Sequence, residues 1–146
     1  MTHVVPAEGR LLAIDLGDKR IGLALSDPTQ TLAQPLGTLT RRVGKRFPLK
    51  QLRTQLEAHR PVGVVLGLPL ESDGTEGPRA LEARAIGTLI EAKAALPVCF
   101  HDERMTTARA LRAIKELGGS TRGRKGDVDQ LAATTILQTF LDRRRR

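Results

Sequence analysis

Leu11-Leu12-Ala13-Ile14-Asp15-Leu16-Gly17 puts an aspartate in the middle of an apolar run. The run is short, continuous and closed by a glycine, which is the pattern of a buried strand. A carboxylate in such a place is costly unless a partner or a metal ion compensates it. Asp15 is therefore the residue to follow, and the elements around it decide what it can meet.

Downstream, the tight turn Gly17-Asp18-Lys19-Arg20 leads into a second strand, Ile21 to Ser26, and the pair reads as a hairpin. A third strand is expected from Ala33 to Leu39, followed by the basic link Arg41-Arg42-Val43-Gly44-Lys45-Arg46. Leu49, Leu52 and Leu56 recur at spacings of three and four, which predicts a helix over Pro48 to His59. Val62 to Leu68 is apolar throughout, as an inner strand covered on both faces should be. Pro69 to Pro78 is a loop rich in Gly, Ser, Asp and Pro. A second helix is expected over Arg79 to Ala95, with Leu81, Ala85, Ile86, Leu89 and Ile90 as its buried stripe. Pro97 to His101 reads as a fifth strand, with Cys99 in its core, and Thr106 to Leu117 as a helix stopped by Gly118-Gly119. Ser120 to Gly126 is a basic loop, and a last helix runs from about Val128 to Leu141.

Three meandering strands followed by helix-strand-helix-strand-helix describe an α/β fold. Its sheet is five-stranded and mixed, with three antiparallel strands and then two parallel ones, flanked by helices. The ribonuclease H architecture has this order. Residues 1–142 are expected to form a single domain, and 143–146 a basic, disordered tail that anchors phosphates without specificity.

Lys plus Arg outnumber Asp plus Glu by 24 to 16 in the 146 residues, a net charge of +8. That balance favours polyanionic partners, mainly nucleic acid. With 3 Phe, no Tyr and no Trp, the chain has few rings on which bases could stack, so recognition is expected through phosphates and shape. No apolar stretch approaches the ~20 residues of a membrane span. The first ten residues do not resemble a signal peptide, and a single cysteine fits a reducing compartment. A cytoplasmic protein is expected.

Two further acidic sites recur at element edges: Asp102-Glu103 just past the fifth strand, and Asp127 with Asp129 at the start of the last helix. In a ribonuclease H-like sheet the first strand is central, and the last helix packs across it. That topology would bring Asp15, Glu103 and Asp129 to one edge. Glu103 is favoured over Asp102 by reach. Asp127, followed three residues later by Gln130, has the form of a capping box. Asp129 instead shares a helix face with Ala132, Ala133, Ile136 and Phe140. Carboxylates are the hard oxygen ligands that Mg2+ prefers, and a pair of ions ~4 Å apart can serve an in-line phosphodiester displacement.

Several segments resemble the YqgF (RuvX) family of bacterial ribonuclease H-like nucleases. They are Ile14-Asp15-Leu16-Gly17 with Arg20-Ile21-Gly22-Leu23-Ala24, Gly67-Leu68-Pro69-Leu70 with Gly74-Thr75-Glu76-Gly77, Asp102-Glu103-Arg104-Met105-Thr106-Thr107, and Val128-Asp129-Gln130-Leu131-Ala132-Ala133. They occur in the family's order and span nearly the whole chain. The resemblance implies a metal-dependent nuclease (Mg2+ or Mn2+, two ions) that matures the 5′ end of pre-16S ribosomal RNA, or a Holliday-junction resolvase acting on branched DNA. It places the catalytic, metal-holding acids on Asp15, Glu103 and Asp129. The chain differs at Asp18, where the family often carries Thr or Ser.

Among the basic residues, Arg20 either contacts substrate phosphate or pairs with a carboxylate. Arg122, Arg124 and Lys125 precede the last helix and are expected to hold a nucleic-acid backbone. Gly67 to Leu70 either lines the site or is a plain strand-to-helix turn, and Thr106 and Thr107 read as helix caps. Two rival classes remain. A sugar-kinase-like phosphotransferase would need a second lobe, and ATP binding would reveal it. A non-catalytic assembly factor would be indifferent to magnesium. The chain is expected to act as a monomer or a homodimer.

Overall fold

The computed structural model describes residues 4–41, 46–105 and 125–144, apart from the side chains of 125–129. Strands β1 (Leu11–Leu16), β2 (Arg20–Ser26), β3 (Ala33–Thr40), β4 (Gly63–Leu68) and β5 (Val98–Asp102) form one sheet in the order β3-β2-β1-β4-β5. β1, β2 and β3 pair antiparallel, while β4 pairs parallel with β1 and with β5. Helices α1 (Leu49–His59), α2 (Pro78–Ala94) and α3 (Lys125–Arg144) flank it, and a 3-10 turn, Glu103–Met105, follows β5. This is the mixed sheet expected from the element order. No described helix is long and apolar enough to cross a membrane.

All six residues of β1 are buried, because β1 is an inner strand with helices over both faces. Alternation along the strand divides the core in two. Leu12, Ile14 and Leu16 join Leu52 and Leu56 of α1 and Ile86 and Ile90 of α2. Leu11 and Ala13 join Val65 of β4 and Ala132, Ala133, Ile136, Leu137 and Leu141 of α3. Gln138 of α3 fastens that helix to the sheet: its Oε1 accepts from Ala33 N at 2.8 Å, and its Nε2 donates to Thr31 O at 3.1 Å.

Four expectations need correction. The buried side of α2 is Ala80, Ala83, Ile86, Gly87 and Ile90, whereas Leu81 is 59% exposed. The helix lies so close to the sheet that a Cβ on Gly87 would stand 2.6 Å from the Phe100 ring, so small residues face inward. Helix α3 already includes Lys125, which therefore belongs to a helix and not to the preceding loop. Asp127 lies inside the same helix and is not its cap. The helix also continues through Arg143 and Arg144, so this part of the expected tail is ordered. Arg144 donates to Val5 O, to Pro6 O (3.0 Å) and to Gln30 Oε1 (3.2 Å), and its guanidinium lies 5.6 Å from the Phe140 ring centre. The helix expected over 106–117, and Arg122 and Arg124, fall outside the described residues.

Candidate active site

Asp15 follows Leu11 and Ala13 in the alternation of β1, so it stands on the α3 side of the sheet. It is 3% exposed. Across the antiparallel ladder its partner is Gly22. Continuing the parallel register one step beyond Ile14–Leu66 sets it beside Gly67 on β4. Glycines therefore occupy the neighbouring position on both sides of the aspartate, and no side chain rises from either.

Glu103 fills the space over one of them. A Cβ placed on Gly67 would lie 3.1 Å from Glu103 Oε2 and 2.9 Å from Ile136 Cδ1 of α3. The Glu103 carboxylate thus sits between β4 and α3, and the residue is 2% exposed. It stands over the strand adjacent to the one bearing Asp15, and neighbouring strands are ~5 Å apart. Two buried carboxylates, from residues 15 and 103, thereby stand on the α3 side of neighbouring strands at the edge where β1, β4 and β5 end.

Asp102 has a different role. Its Oδ1 accepts from Arg104 N at 2.9 Å, and its Oδ2 takes Arg104 Nη2 at 2.8 Å. The Arg104 guanidinium holds the Asp102 carboxyl below the usual carboxylate range. Arg104 Nη1 also reaches Ser72 O at 3.4 Å, which ties the Pro69–Gly77 loop to the turn bearing Glu103. The guanidinium passes 3.2 Å from where a Cβ of Gly74 would be, and Gly74 has φ +90°. A side chain there would meet both strain and crowding.

His101 faces α3, 7% exposed, with its ring edge-on to Phe140 at 6.3 Å. Burial pushes its pKa below the usual histidine value. It serves as a core histidine at a strand end. Arg20 opens β2 on the same side as Gly22 and is half-buried near the mouth of the site. Cys99 is half-buried on β5, as a core residue would be.

The backbone of Asp129 lies in the first turns of α3. Ile136 is at Gly67, and Arg144 is at Val5 and Pro6, which precede β1. Helix α3 therefore runs from the carboxylate edge of the sheet toward the opposite edge. Asp129 precedes Ile136 by seven residues, or roughly 10 Å along the axis, on the carboxylate side. Its side chain, like that of Lys125, lies outside the described residues, among which no group of three His, Cys, Asp or Glu residues is arranged to hold a metal ion.

Sequence reasoning offered Gly67 to Leu70 as a segment that lines the site or makes a plain turn, but did not identify Gly67 as the seat of Glu103, nor the bracing role of Arg104. A glycine inside an inner apolar strand is a signal of close approach, and it could have identified Gly67. The tie from Arg104 to the loop runs through the Ser72 carbonyl, which leaves no sequence pattern.

The sequence model of the RuvX family, described as Holliday junction resolvase, matches residues 9–143. A Koribacter versatilis protein is 43% identical over 136 residues, covering 93% of this chain and 88% of that one. A Paracoccus denitrificans protein is 43% identical over 144 residues, covering 98% and 90%. Both carry the name "Putative pre-16S rRNA nuclease". Among solved structures, T. thermophilus RuvC in complex with a Holliday junction substrate aligns with a TM-score of 0.54 at 17% identity, covering 94% of this chain and 96% of that one. That likeness shows the fold, which is ribonuclease H-like. The chain belongs to the RuvX family and is a nuclease.

Proposed function

We propose that the protein is a divalent-metal-dependent phosphodiester hydrolase that trims the 5′ end of precursor 16S ribosomal RNA. The observation that carries this reading is the Glu103 carboxylate seated over Gly67 beside the buried Asp15. The relatives' names supply the substrate.

The residues fit Mg2+ or Mn2+. Carboxylate oxygens are the donors such ions take, and the bare backbone at Gly67 is what lets the Glu103 carboxylate settle over β4. Asp15, Glu103 and Asp129 would hold the ions, two in number. When bound, the metal supplies positive charge at the attacking and leaving oxygens of the phosphodiester.

The chain's own contribution is placement. Asp15 is fixed by ladder pairs on an inner strand, and Glu103 by the turn after β5 that Asp102 and Arg104 brace. A site buried this way keeps its charges in a low-dielectric setting, where they act more strongly than in water. Arg20, Arg122, Arg124 and Lys125 would neutralise substrate phosphates, in keeping with the net charge of +8. Affinity should then fall steeply with salt.

The test is a side-by-side cleavage assay of pre-16S RNA and a four-way DNA junction, using wild type and Asp15→Asn. The expected result is RNA cleavage that requires Mg2+ or Mn2+ and is lost in the variant, with RNA binding retained. Full activity of Asp15→Asn, or activity that survives chelation, would end the proposal. The description of the family model favours a second reading, cleavage of branched DNA. Symmetric cutting of the junction by a homodimer, with no cutting of RNA, would establish that reading instead.

A further inference from the structure

Arg41 follows β3 and grips the turn that follows Asp15. Its backbone N–H donates to Lys19 O at 2.8 Å, and its Nη1 donates to Gly17 O at 3.1 Å. On its other side the guanidinium meets Glu82 of α2, with Nη2 at 3.2 Å from Oε2 and Nη1 at 3.5 Å from Oε1. The side chain is only 3% exposed. Asp18, in the same turn, pairs with Arg79 of α2 at 3.2 Å. The β1–β2 turn is thus fastened to α2 at successive points.

Arg41 continues the alternation of β3 two residues past Leu39, which lies in the core under α1 and α2. It therefore stands on the face of the sheet opposite Asp15. From there it cannot touch a substrate held at the carboxylates, and it acts through the backbone. The β1–β2 ladder ends at Leu16–Ile21, one residue past Asp15. Beyond that pair the direction of the strand end depends on what holds Gly17 and Lys19. A buried guanidinium bridging the Gly17 carbonyl and the Glu82 carboxylate is a rigid fork, and an ammonium does not reproduce it.

We propose that Arg41 is a positioning residue for the nuclease reaction: its guanidinium, anchored on Glu82, holds Gly17 O while its backbone N–H holds Lys19 O, and together they fix the end of β1 and so aim the Asp15 carboxylate toward Glu103. This rests on the reading of Asp15 and Glu103 as metal-holding acids.

The test compares Arg41→Lys and Glu82→Gln with Ile90→Val, a core change away from the turn. Each is measured for kcat and KM on an RNA substrate, for Mn2+ affinity by calorimetry, and for urea midpoint. Arg41→Lys should lower kcat by ~10–100-fold, as expected for an ångström-scale misplacement, and leave KM within about twofold. Mn2+ affinity should weaken by roughly tenfold, the loss typical of removing a group that orients a ligand. Glu82→Gln should shift kcat and Mn2+ affinity the same way by less, and Ile90→Val should leave both unchanged. Wild-type kcat and Mn2+ affinity in Arg41→Lys would overturn the proposal. So would a rise in KM alone, which would make Arg41 a substrate contact, or an equal loss in Ile90→Val. Should Arg41→Lys fail to fold, Glu82→Gln is judged by the same criteria. Wild type that binds no Mn2+ would sink the metal reading and this inference together. Wild type that binds Mn2+, beside unaltered variants, would sink this inference only.

Discussion

Gly67→Ala is a one-methyl perturbation aimed at the contact on which the site depends. The new Cβ would stand 2.9 Å from Ile136 Cδ1 and 3.1 Å from Glu103 Oε2. Carbon atoms prefer ~3.5–4.0 Å, so the Ile136 contact is short by about 0.6–1.1 Å. Ile136 is fully buried and cannot swing into solvent. Two responses remain: α3 shifts away from the sheet, carrying Asp129 with it, or Glu103 retreats from its seat. Overpacking of this kind costs about 1–3 kcal/mol. Removing a glycine from the unfolded chain offsets ~0.4–1 kcal/mol. A net destabilisation of roughly 0–2.6 kcal/mol, centred near 1.3, follows.

Either response also disturbs the carboxylates, so kcat should fall ~10–100-fold. Gly63→Ala at the far end of β4 is the matched control. Its Cβ would meet Val5 Cγ1 at 2.7 Å, a comparable clash remote from Glu103. Urea unfolding and single-turnover cleavage, at a temperature where both variants are folded, separate the effects. Similar destabilisation with cleavage lost only in Gly67→Ala is the expected outcome. Gly67→Ala cleaving within twofold of wild type, with stability unchanged to about 0.5 kcal/mol, would refute the seat assigned to Glu103.

Three other perturbations follow from the same geometry. Arg144→Ala removes the bonds to Val5, Pro6 and Gln30 and the stacking on Phe140, and should lower stability by about 1–3 kcal/mol in urea unfolding. Asp102 has a folded-state pKa held below its unfolded value by Arg104, so the pair stabilises the protein above about pH 4 and the contribution disappears as pH falls through the depressed folded value. Asp102→Asn should therefore cost at most about 1 kcal/mol at pH 7 and progressively less as the pH is lowered below about 4, measured by unfolding across that range, while retaining far more cleavage than Glu103→Gln. Burial pushes the Cys99 thiol above its usual pKa, so a thiol reagent at pH 8 should label the native protein much more slowly than the urea-unfolded chain.

The parts of this fold that were legible in the sequence are those governed by the alternation of apolar residues. A carboxylate inside an apolar strand announces itself, because only a buried position makes Leu11 to Leu16 intelligible. The order of strands and helices then fixes which edge Asp15 shares with the end of β5. Less legible was anything decided by closeness of approach. The sequence favours Leu81, Ala85, Ile86, Leu89 and Ile90 as the buried stripe of α2, and of these Ile86 and Ile90 are buried. The rest of the buried side is Ala80, Ala83 and Gly87, small residues that let the helix settle onto the sheet, with Gly87 against Phe100. The capping pattern at Asp127 and Gln130 misplaced the start of α3 for a related reason. Asp three residues before Gln is equally permitted inside a helix, and only the backbone path distinguishes the two.

Arginines tied to backbone carbonyls are the hardest case. Arg41 opens a run that composition marks as a solvated basic link, and Arg144 belongs to what reads as a loose tail. Their partners are carbonyl oxygens of Gly17, Val5 and Pro6, together with Glu82 and Gln30, at distances along the chain that no local pattern spans. Every residue offers a carbonyl, so an acceptor of this kind carries no sequence signature. A guanidinium can be buried at tolerable cost only where such acceptors converge, and convergence is a property of the folded backbone. It follows that basic residues in this chain cannot be assigned to substrate binding by charge alone. Arg41, which faces α2, holds the frame, and the search for phosphate contacts belongs on the α3 face, where Asp15, Glu103 and Arg20 stand.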